Sequence, residues 1–291
     1  MMKLLHELDA MMDSIYGYMV LKSYVFLLRF NGNYANRDYA ERSKKYGERF
    51  DKSVLSKACE ALKICRDGKI LDLVDAMDRS SYYALIHPEH PNITLGFIKD
   101  ADLWNLWLES GVYRYVRRAI AEILGIGSGD KIVDFGCGSA SPKFYSSLIG
   151  SSGLYVGIDY SKPLLNIAEK KCRNEKLIDR VRLIHSKAES RIHFNKNYDV
   201  AIISAVAEYS SISGILRNAL EALGYEGSIA IFSELFVDLQ PERVELFNLY
   251  YSLIPGFRSF PSLREIEEFF EKIGLDYSLK PYGNHLLVVQ L

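Results

Sequence analysis

Two carboxylates and two glycines form the most informative chemical pattern in this 291-residue sequence. Asp134, Gly136 and Gly138 lie in the segment Val-Asp-Phe-Gly-Cys-Gly-Ser-Ala, between a predicted strand and a predicted helix. Glycines at this spacing let the backbone turn tightly and approach a ligand without an intervening Cβ atom. Asp159 ends the next predicted strand, where a carboxylate can accept hydrogen bonds from both hydroxyls of a ribose. The pattern therefore predicts a nucleoside site.

A dinucleotide site is not favoured, because the third glycine of the usual GxGxxG pattern is replaced by Ser141. The residues alone leave an alternative open. The glycine segment could be an ordinary turn between a strand and a helix, with Asp159 capping the helix that begins near Pro163.

The elements that would position these residues follow an alternating pattern from Lys131 onward. Short apolar runs separated by helical segments are typical of βαβ units and a mostly parallel sheet. The last two runs are joined by so few residues that they must be antiparallel to each other. We therefore predict an α/β fold with a doubly wound, mostly parallel seven-stranded sheet, an antiparallel edge strand and an N-terminal helical region. The predicted strands are 131–135, 154–158, 181–185, 198–204, 228–232, 276–279 and 285–290.

The chain divides, by pattern, into a helical region over residues 1–100 and a ligand-binding domain over residues 101–291. Residues 15–30, 38–50 and 53–65 are predicted helices, and 101–124 is predicted as one continuous helix. Residues 235–261 are an insertion rich in aromatic side chains, which predicts either a lid over an apolar acceptor or a helical pair that extends the core.

Composition restricts the class of protein. The chain has 36 Lys and Arg against 37 Asp and Glu, a net charge of −1, which does not favour a nucleic-acid or anionic-membrane binder. Four cysteines without a CxxC pair do not indicate a zinc ribbon or a redox motif. The most apolar stretch is shorter than a membrane span and is interrupted by Lys22 and Arg29. We therefore expect a cytoplasmic protein with a small-molecule partner; the oligomeric state is not indicated.

The sequence over residues 101–291 resembles the class I S-adenosylmethionine-dependent methyltransferases, small-molecule branch. In that family an acid-x-Gly-x-Gly loop wraps the methionine portion of the cofactor, which corresponds here to Asp134, Gly136, Cys137 and Gly138. The acid after the second strand, which binds the ribose, corresponds to Asp159. The resemblance implies S-adenosylmethionine as the cofactor.

Further cofactor contacts are implied by the same resemblance. The residue after the ribose acid commonly packs on adenine, and here it is Tyr160. The adenine-contacting stretch after the third strand corresponds to Lys187, Ala188 and Glu189, with Lys187 replacing the usual carboxylate. Ser204, at the end of the fourth strand, completes the implied cofactor set.

Glu208 and Tyr209 follow the fourth strand and are the candidate catalytic residues, with Glu208 as the first candidate for a general base. They could equally cap the next helix and line a wall of the cleft. His193 and His285 are weaker candidates for a base. His87 and His90 resemble a metal pair only superficially, and no metal is predicted.

The predicted function is methyl transfer from S-adenosylmethionine to a small, apolar or aromatic acceptor. Two alternatives remain at the level of sequence. The same cofactor could donate an aminocarboxypropyl group, or the chain could be a non-catalytic cofactor-binding scaffold subunit.

Overall fold

The computed structural model describes residues 2–29, 36–62, 101–109, 111–194 and 197–291, together with residues 34, 74, 78, 79 and 82. The segment that contains His87 and His90 lies outside the described residues, as does Cys65 at the end of one predicted helix.

A seven-stranded sheet forms the centre of the fold, as predicted, in the order β3-β2-β1-β4-β5-β7-β6. Strands β1 to β5 are parallel, and β7 runs antiparallel to both β5 and β6. The antiparallel strand therefore lies one position inside the edge, between β5 and the edge strand β6. The strands are β1 (Lys131–Phe135), β2 (Leu154–Asp159), β3 (Val181–His185), β4 (Val200–Ser204), β5 (Ser228–Phe232), β6 (Ser278–Tyr282) and β7 (Leu286–Gln290).

The parallel register brings the carboxyl ends of the central strands to one edge of the sheet. Phe135, the last residue of β1, pairs with Ile158 of β2 and Ile203 of β4. Ser204 of β4 pairs with Phe232, the last residue of β5. Segments that follow β1, β2, β4 and β5 therefore meet at the same place, which is where open α/β sheets bind ligands.

Helices cover both faces of the sheet. Three further helices precede the sheet domain in the chain. The N-terminal helices are α1 (Met2–Arg29), α2 (Arg37–Gly47) and α3 (Lys52–Leu62). The others are α4 (Ala101–Leu108), α5 (Gly111–Leu124), α6 (Ser141–Leu148), α7 (Lys162–Asn174), α8 (Ile212–Leu223), α9 (Val244–Tyr251) and α10 (Leu263–Ile273). Among these helices none is both long and apolar enough to cross a membrane.

Two helix predictions differ from the structure. Helix α1 begins at Met2 rather than near Ile15, because the apolar side chains Leu5, Leu8, Met11 and Met12 continue its buried face toward the N-terminus. The predicted helix 101–124 is two helices, with α5 starting at Gly111. Glycine is a weak helix former, so a break there costs little.

The N-terminal helix α1 shares one hydrophobic core with the sheet domain. Met12 is fully buried in the same cluster of apolar side chains as Ile120 of α5 and Phe247 of α9. Polar contacts reinforce the packing: the Arg243 guanidinium lies 2.6 Å from the Asp13 carboxylate, and the Tyr250 hydroxyl donates to the Met19 carbonyl at 3.3 Å. Helix α1 is therefore bound to the domain by buried apolar surface.

The aromatic side chains of the 235–261 insertion pack mainly against one another. The rings of Phe247 and Phe260 lie 5.7 Å apart, and those of Tyr251 and Phe260 lie 4.9 Å apart. Phe236 and Phe247 are fully buried. The insertion contributes to the core, and whether it also acts as a lid stays a prediction.

Replacing Met12 by alanine tests whether α1 is part of the cooperative core. We expect Met12→Ala to lower the free energy of unfolding by about 3 kcal/mol, because it leaves a cavity at a fully buried position. Met2→Ala, at a side chain that is 75% exposed on the same helix, is the matched control and should change stability by less than about 0.5 kcal/mol. Urea denaturation gives both values. A separate early transition for α1, with the main transition unchanged, would contradict the shared core.

Candidate functional site

The loop between β1 and α6 is built from glycines that no other residue could replace without strain. Gly136 and Gly138 have φ angles of +75° and +57°. A Cβ atom on Gly136 would lie 2.7 Å from Cβ of Val206, and one on Gly138 would lie 2.6 Å from Cδ1 of Leu108. The left-handed backbone favours glycine at both positions, and at Gly136 the nearby Val206 Cβ also leaves no space for a side chain. At Gly136 and Gly138 the loop between β1 and α6 therefore exposes main-chain atoms without side chains.

Asp159 fixes this loop from the end of β2. Its Oδ2 accepts a hydrogen bond from the Gly138 amide at 2.8 Å, and its Oδ1 accepts one from the Ser161 amide at 2.7 Å. Burial raises the pKa of this carboxyl, although the two amide donors oppose the shift. The cap of α7 is Ser161, whose hydroxyl accepts from the Leu164 amide. The alternative in which Asp159 caps the helix is therefore wrong.

Asp134 is a buried carboxyl with one oxygen paired and one oxygen free of protein donors. The Tyr155 hydroxyl donates to Oδ2 at 2.5 Å, and Oδ1 has no hydrogen-bond partner within the described residues. Burial, with a smaller contribution from the charge of Asp159, raises its pKa to about 7. A cationic donor at Oδ1 would favour the ionised form.

Arg117 of α5 is a site residue that sequence reasoning missed. Its side chain is only 6% exposed, Nη1 donates to the Leu108 carbonyl at 3.0 Å, and Nε meets no acceptor in the described part of the chain. Burial lowers its pKa. The sequence does contain an indication of this site, because Arg117 lies on the same helix face as the buried apolar residues Val112, Val116 and Ile120. A buried guanidinium with an unpaired N–H is a ready partner for a carboxylate.

One cavity joins the glycine loop to a group of aromatic side chains. The loop, Asp159 and Arg117 lie at one end, and tyrosines from α5, α9 and the segment after β4 lie at the other. The residues that line the cavity include Trp107, Tyr113, Arg117, Gly136, Cys137, Gly138, Asp159, Ser204, Tyr209, Glu234 and Tyr251. Ala205, also in the lining, has a left-handed φ of +51°, a strained conformation for a residue with a Cβ atom.

The aromatic end of the cavity contains an acid that the sequence did not indicate. Glu234 follows β5, is 2% exposed, and accepts a hydrogen bond from the Tyr113 hydroxyl at 2.6 Å. Glu208 is fully buried next to it and accepts from the Ser233 hydroxyl at 2.5 Å. Burial raises the pKa of both carboxyls. The two acids form one cluster, of which Glu234 reaches the cavity wall.

The structure brings together most of the predicted loop residues but not the predicted adenine contacts. Gly136, Cys137, Gly138, Asp159, Ser204 and Tyr209 line the cavity. Glu208 does not, because it lies buried against Ser233. Tyr160 and Lys187 are exposed beside each other, with the Lys187 Nζ 5.6 Å from the centre of the Tyr160 ring.

Ala188 and Glu189 are held by α8 and by the insertion rather than by the cavity. The Ala188 carbonyl accepts a hydrogen bond from Asn218 at 2.7 Å, and Glu189 lies 3.5 Å from the Arg258 guanidinium. An adenine contact for Tyr160, Lys187, Ala188 and Glu189 stays a prediction.

The two histidines considered as bases lie elsewhere. His193 is exposed, and His285 is 1% exposed in the turn just before β7, outside the cavity lining. Burial and the nearby Arg243 lower the pKa of His285 to about 4, so it is neutral near pH 7. No group of three or more His, Cys, Asp or Glu side chains in the described part of the chain could hold a metal ion.

Comparison with known proteins assigns the domain. Residues 126–259 match the family model of a methyltransferase domain. The chain is 26% identical over 160 residues to the ubiquinone/menaquinone biosynthesis C-methyltransferase of Pasteurella multocida, covering 53% of this chain and 58% of that protein. Residues 126–259 therefore have the sequence of a methyltransferase domain. Its cofactor is S-adenosylmethionine.

Two further comparisons extend beyond the methyltransferase domain. An uncharacterized protein of Methanocaldococcus jannaschii is 35% identical over 213 residues, covering 72% of this chain and 57% of that protein. The chain thus spans less than two thirds of either of these two relatives. The structure of the pyocyanin biosynthetic protein PhzM has a TM-score of 0.54 and 16% identity, covering 87% of this chain and 72% of that chain. That likeness concerns the fold alone.

Asp134 gives the apoprotein a characteristic pH dependence. A carboxyl whose pKa rises from 3.8 to about 7 on folding destabilises the folded state progressively between those two pH values, and the penalty is constant above them. An asparagine at this position would keep an acceptor for Tyr155 without a charge. We expect Asp134→Asn to be more stable than the parent protein above pH 7, by about 2–4 kcal/mol in urea denaturation, and to lose this advantage near pH 4. Equal stabilities at every pH would contradict the buried, uncompensated charge.

Proposed function

We propose that this protein is an enzyme that transfers the methyl group of S-adenosylmethionine to a small acceptor with an apolar or aromatic body. The observation that carries the proposal is a cavity that is lined both by the glycine loop with Asp159 and by the aromatic side chains of Trp107, Tyr113 and Tyr251. A transfer enzyme needs both reactants in one dry space, and this cavity provides a place for each.

The residues around the first end of the cavity fit the cofactor. Its amino-acid portion carries an ammonium and a carboxylate, which match the unpaired Oδ1 of Asp134, buried on β1 outside the cavity lining, and the unpaired Nε of Arg117, which lines the cavity. The left-handed φ angles of Gly136 and Gly138 turn the chain so that both residues line the cavity without side chains. Asp159 would accept the ribose hydroxyls. The cofactor supplies an electrophilic methyl group on a sulfonium.

The aromatic end of the cavity would bind and orient the acceptor. Tyr113 and Tyr251 are almost fully buried, and the Tyr251 hydroxyl meets no hydrogen-bond partner among the described residues. That hydroxyl is therefore available to the acceptor. Because the sulfonium is already activated, holding the acceptor atom in line with the S–CH₃ bond can supply up to ~10 kcal/mol.

The N-terminal helices and the insertion would choose the acceptor. We propose that residues 1–100 form a cap and residues 235–261 a lid over the domain of residues 101–291. Support comes from α1, which packs on α5 and α9, the helices that supply Tyr113 and Tyr251. Substitutions in the cap would therefore alter binding of the acceptor at the aromatic end of the cavity and leave the cofactor loop unchanged.

Cofactor binding can be measured without knowing the acceptor. Asp159→Ala should weaken binding of S-adenosylhomocysteine by about 1–3 kcal/mol in calorimetry, because it leaves ribose hydroxyls and the Gly138 amide without an acceptor. Asp179→Ala, at an exposed aspartate, is the matched control and should bind like the parent protein. Unchanged affinity in Asp159→Ala would contradict the assignment of this carboxylate.

The by-product identifies the group that is transferred. Incubation with S-adenosylmethionine and a panel of phenols, amines and acidic carbon compounds should yield S-adenosylhomocysteine by mass spectrometry. Methylthioadenosine would instead indicate transfer of an aminocarboxypropyl group. Tight cofactor binding with neither by-product across the panel would favour a scaffold subunit.

A further inference from the structure

Two carboxyl groups meet below the aromatic end of the cavity. Glu208 and Glu234 are close enough for the charge of Glu234 to raise the pKa of Glu208, and both are almost completely buried. Glu234 lines the cavity and Glu208 does not. They come from different strand ends, Glu208 from the segment after β4 and Glu234 from the segment after β5. The parallel register of these two strands is what brings them together.

The hydrogen bonds around the pair indicate that one proton is shared. The Ser233 hydroxyl lies 2.5 Å from Oε1 of Glu208 and 2.6 Å from the Leu235 carbonyl, and Oε2 of Glu208 meets no N–H or O–H donor of the described residues. Oε1 of Glu234 accepts from the Tyr113 hydroxyl. A buried carboxylate oxygen without a donor is costly, and two adjacent buried carboxylates cannot both remain ionised. A proton held by Glu208 and donated to Glu234 satisfies both conditions.

The surroundings favour one negative charge, located on Glu234. The titratable groups that face the pair are the hydroxyls of Tyr113 on α5, Tyr209 after β4 and Tyr251 on α9. Burial raises the pKa of all three tyrosines, so they remain neutral donors. Burial and the adjacent Glu234 raise the pKa of Glu208 well above its usual value. Glu234 accepts from the Tyr113 hydroxyl and lines the cavity, whereas Oε2 of Glu208 meets no donor of the described residues, so we place the negative charge on Glu234.

We infer that Glu234 is the proton acceptor for methyl transfer, that Glu208 is its positioning partner, and that the acceptor molecule carries a proton on the attacked atom. The inference rests on the proposed function and narrows its substrate class to hydroxyl groups and acidic carbons. Thioethers and tertiary amines carry no proton on the attacked atom, so their methylation would not require a proton acceptor such as Glu234.

The step balances with the groups present. A lone pair or carbanionic pair of the acceptor forms a bond to the methyl carbon, and the C–S electron pair moves to sulfur, which gives neutral S-adenosylhomocysteine. The acceptor's proton moves to the Glu234 carboxylate, so the positive charge of the sulfonium and the negative charge of the acid disappear together. No oxidant or further reactant is needed.

The charge on Glu234 can be tested with two cofactor analogues. S-adenosylhomocysteine is neutral at sulfur, whereas sinefungin has an ammonium-bearing carbon in place of the sulfonium and its methyl group. We expect Glu234→Gln to lower the affinity for sinefungin about tenfold relative to that for S-adenosylhomocysteine. Glu208→Gln, which still donates an N–H to Glu234, should keep the parent ratio within about twofold. Glu226→Gln, at an exposed turn, is the matched control.

The pH dependence separates a charge from a structural role. The ratio of the affinity for sinefungin to that for S-adenosylhomocysteine should fall in the parent protein as the pH is lowered and Glu234 is protonated. Because the pKa of Glu234 is raised, this fall should occur at a pH above 4.5, the usual pKa of glutamate. The ratio in Glu234→Gln should not change over that range. In addition, the parent protein minus Glu208→Gln infrared difference spectrum near pH 7 should contain the band of one protonated buried carboxyl, over and above any band from Asp134.

The outcomes are distinguishable from a failure of the proposed function. If neither analogue binds the parent protein, the proposed function is wrong. If both bind and Glu234→Gln leaves their ratio unchanged, or Glu208→Gln lowers it as strongly as Glu234→Gln does, the inference is overturned. Methyl transfer to thioethers at the same rate as to phenols would also overturn it.

Discussion

The site depends on the parallel register of β1, β2, β4 and β5, which places four chain segments at one edge of the sheet. The segments that act together are far apart in sequence, and the hydrogen bonds of the sheet hold them together. The Asp159 carboxylate completes the arrangement by bonding the Gly138 amide across from the end of β2. A shift of register by one residue would move the carboxylate to the other face and release the loop.

Buried acids lie in two groups near the cavity, and one acid of each group, Asp159 or Glu234, lines it. Asp134 and Asp159 lie at the loop end, where under the proposed function the ammonium and ribose of the cofactor would need acceptors, and the charge of Arg117 lowers the pKa of Asp134. Glu208 and Glu234 lie at the aromatic end, where tyrosine hydroxyls are the available donors. Burial raises the pKa of each acid, so the apoprotein holds carboxyls that a cationic ligand would ionise. Water is excluded from these buried acids, so their attraction to the positive sulfonium of the cofactor would be stronger than it is in bulk water.

Local patterns in the sequence were sufficient for the sheet and for the glycine loop. Apolar runs and turn signals located all seven strands, and the short final connection correctly indicated antiparallel pairing. The acids and cations outside the loop could not be found this way. Glu234 follows β5 without a motif, and Arg117 sits on an apolar helix face; only the register of β4 and β5 and the packing of α5 bring them to the cavity. The same register explains why Glu208, predicted as the base, is displaced from the wall by Glu234, which occupies the neighbouring strand end.

Helix α5 contributes to both ends of the cavity. Arg117 and Tyr113 are four residues apart, so they project from the same side of one rigid rod, about one helical turn from each other. Any movement of this rod shifts the guanidinium and the phenol together. Cofactor and acceptor should therefore bind with positive cooperativity. The ligand that binds first loses the conformational entropy of ordering α5, so the second ligand binds a helix that is already ordered. By thermodynamic linkage each ligand raises the affinity for the other by the same factor.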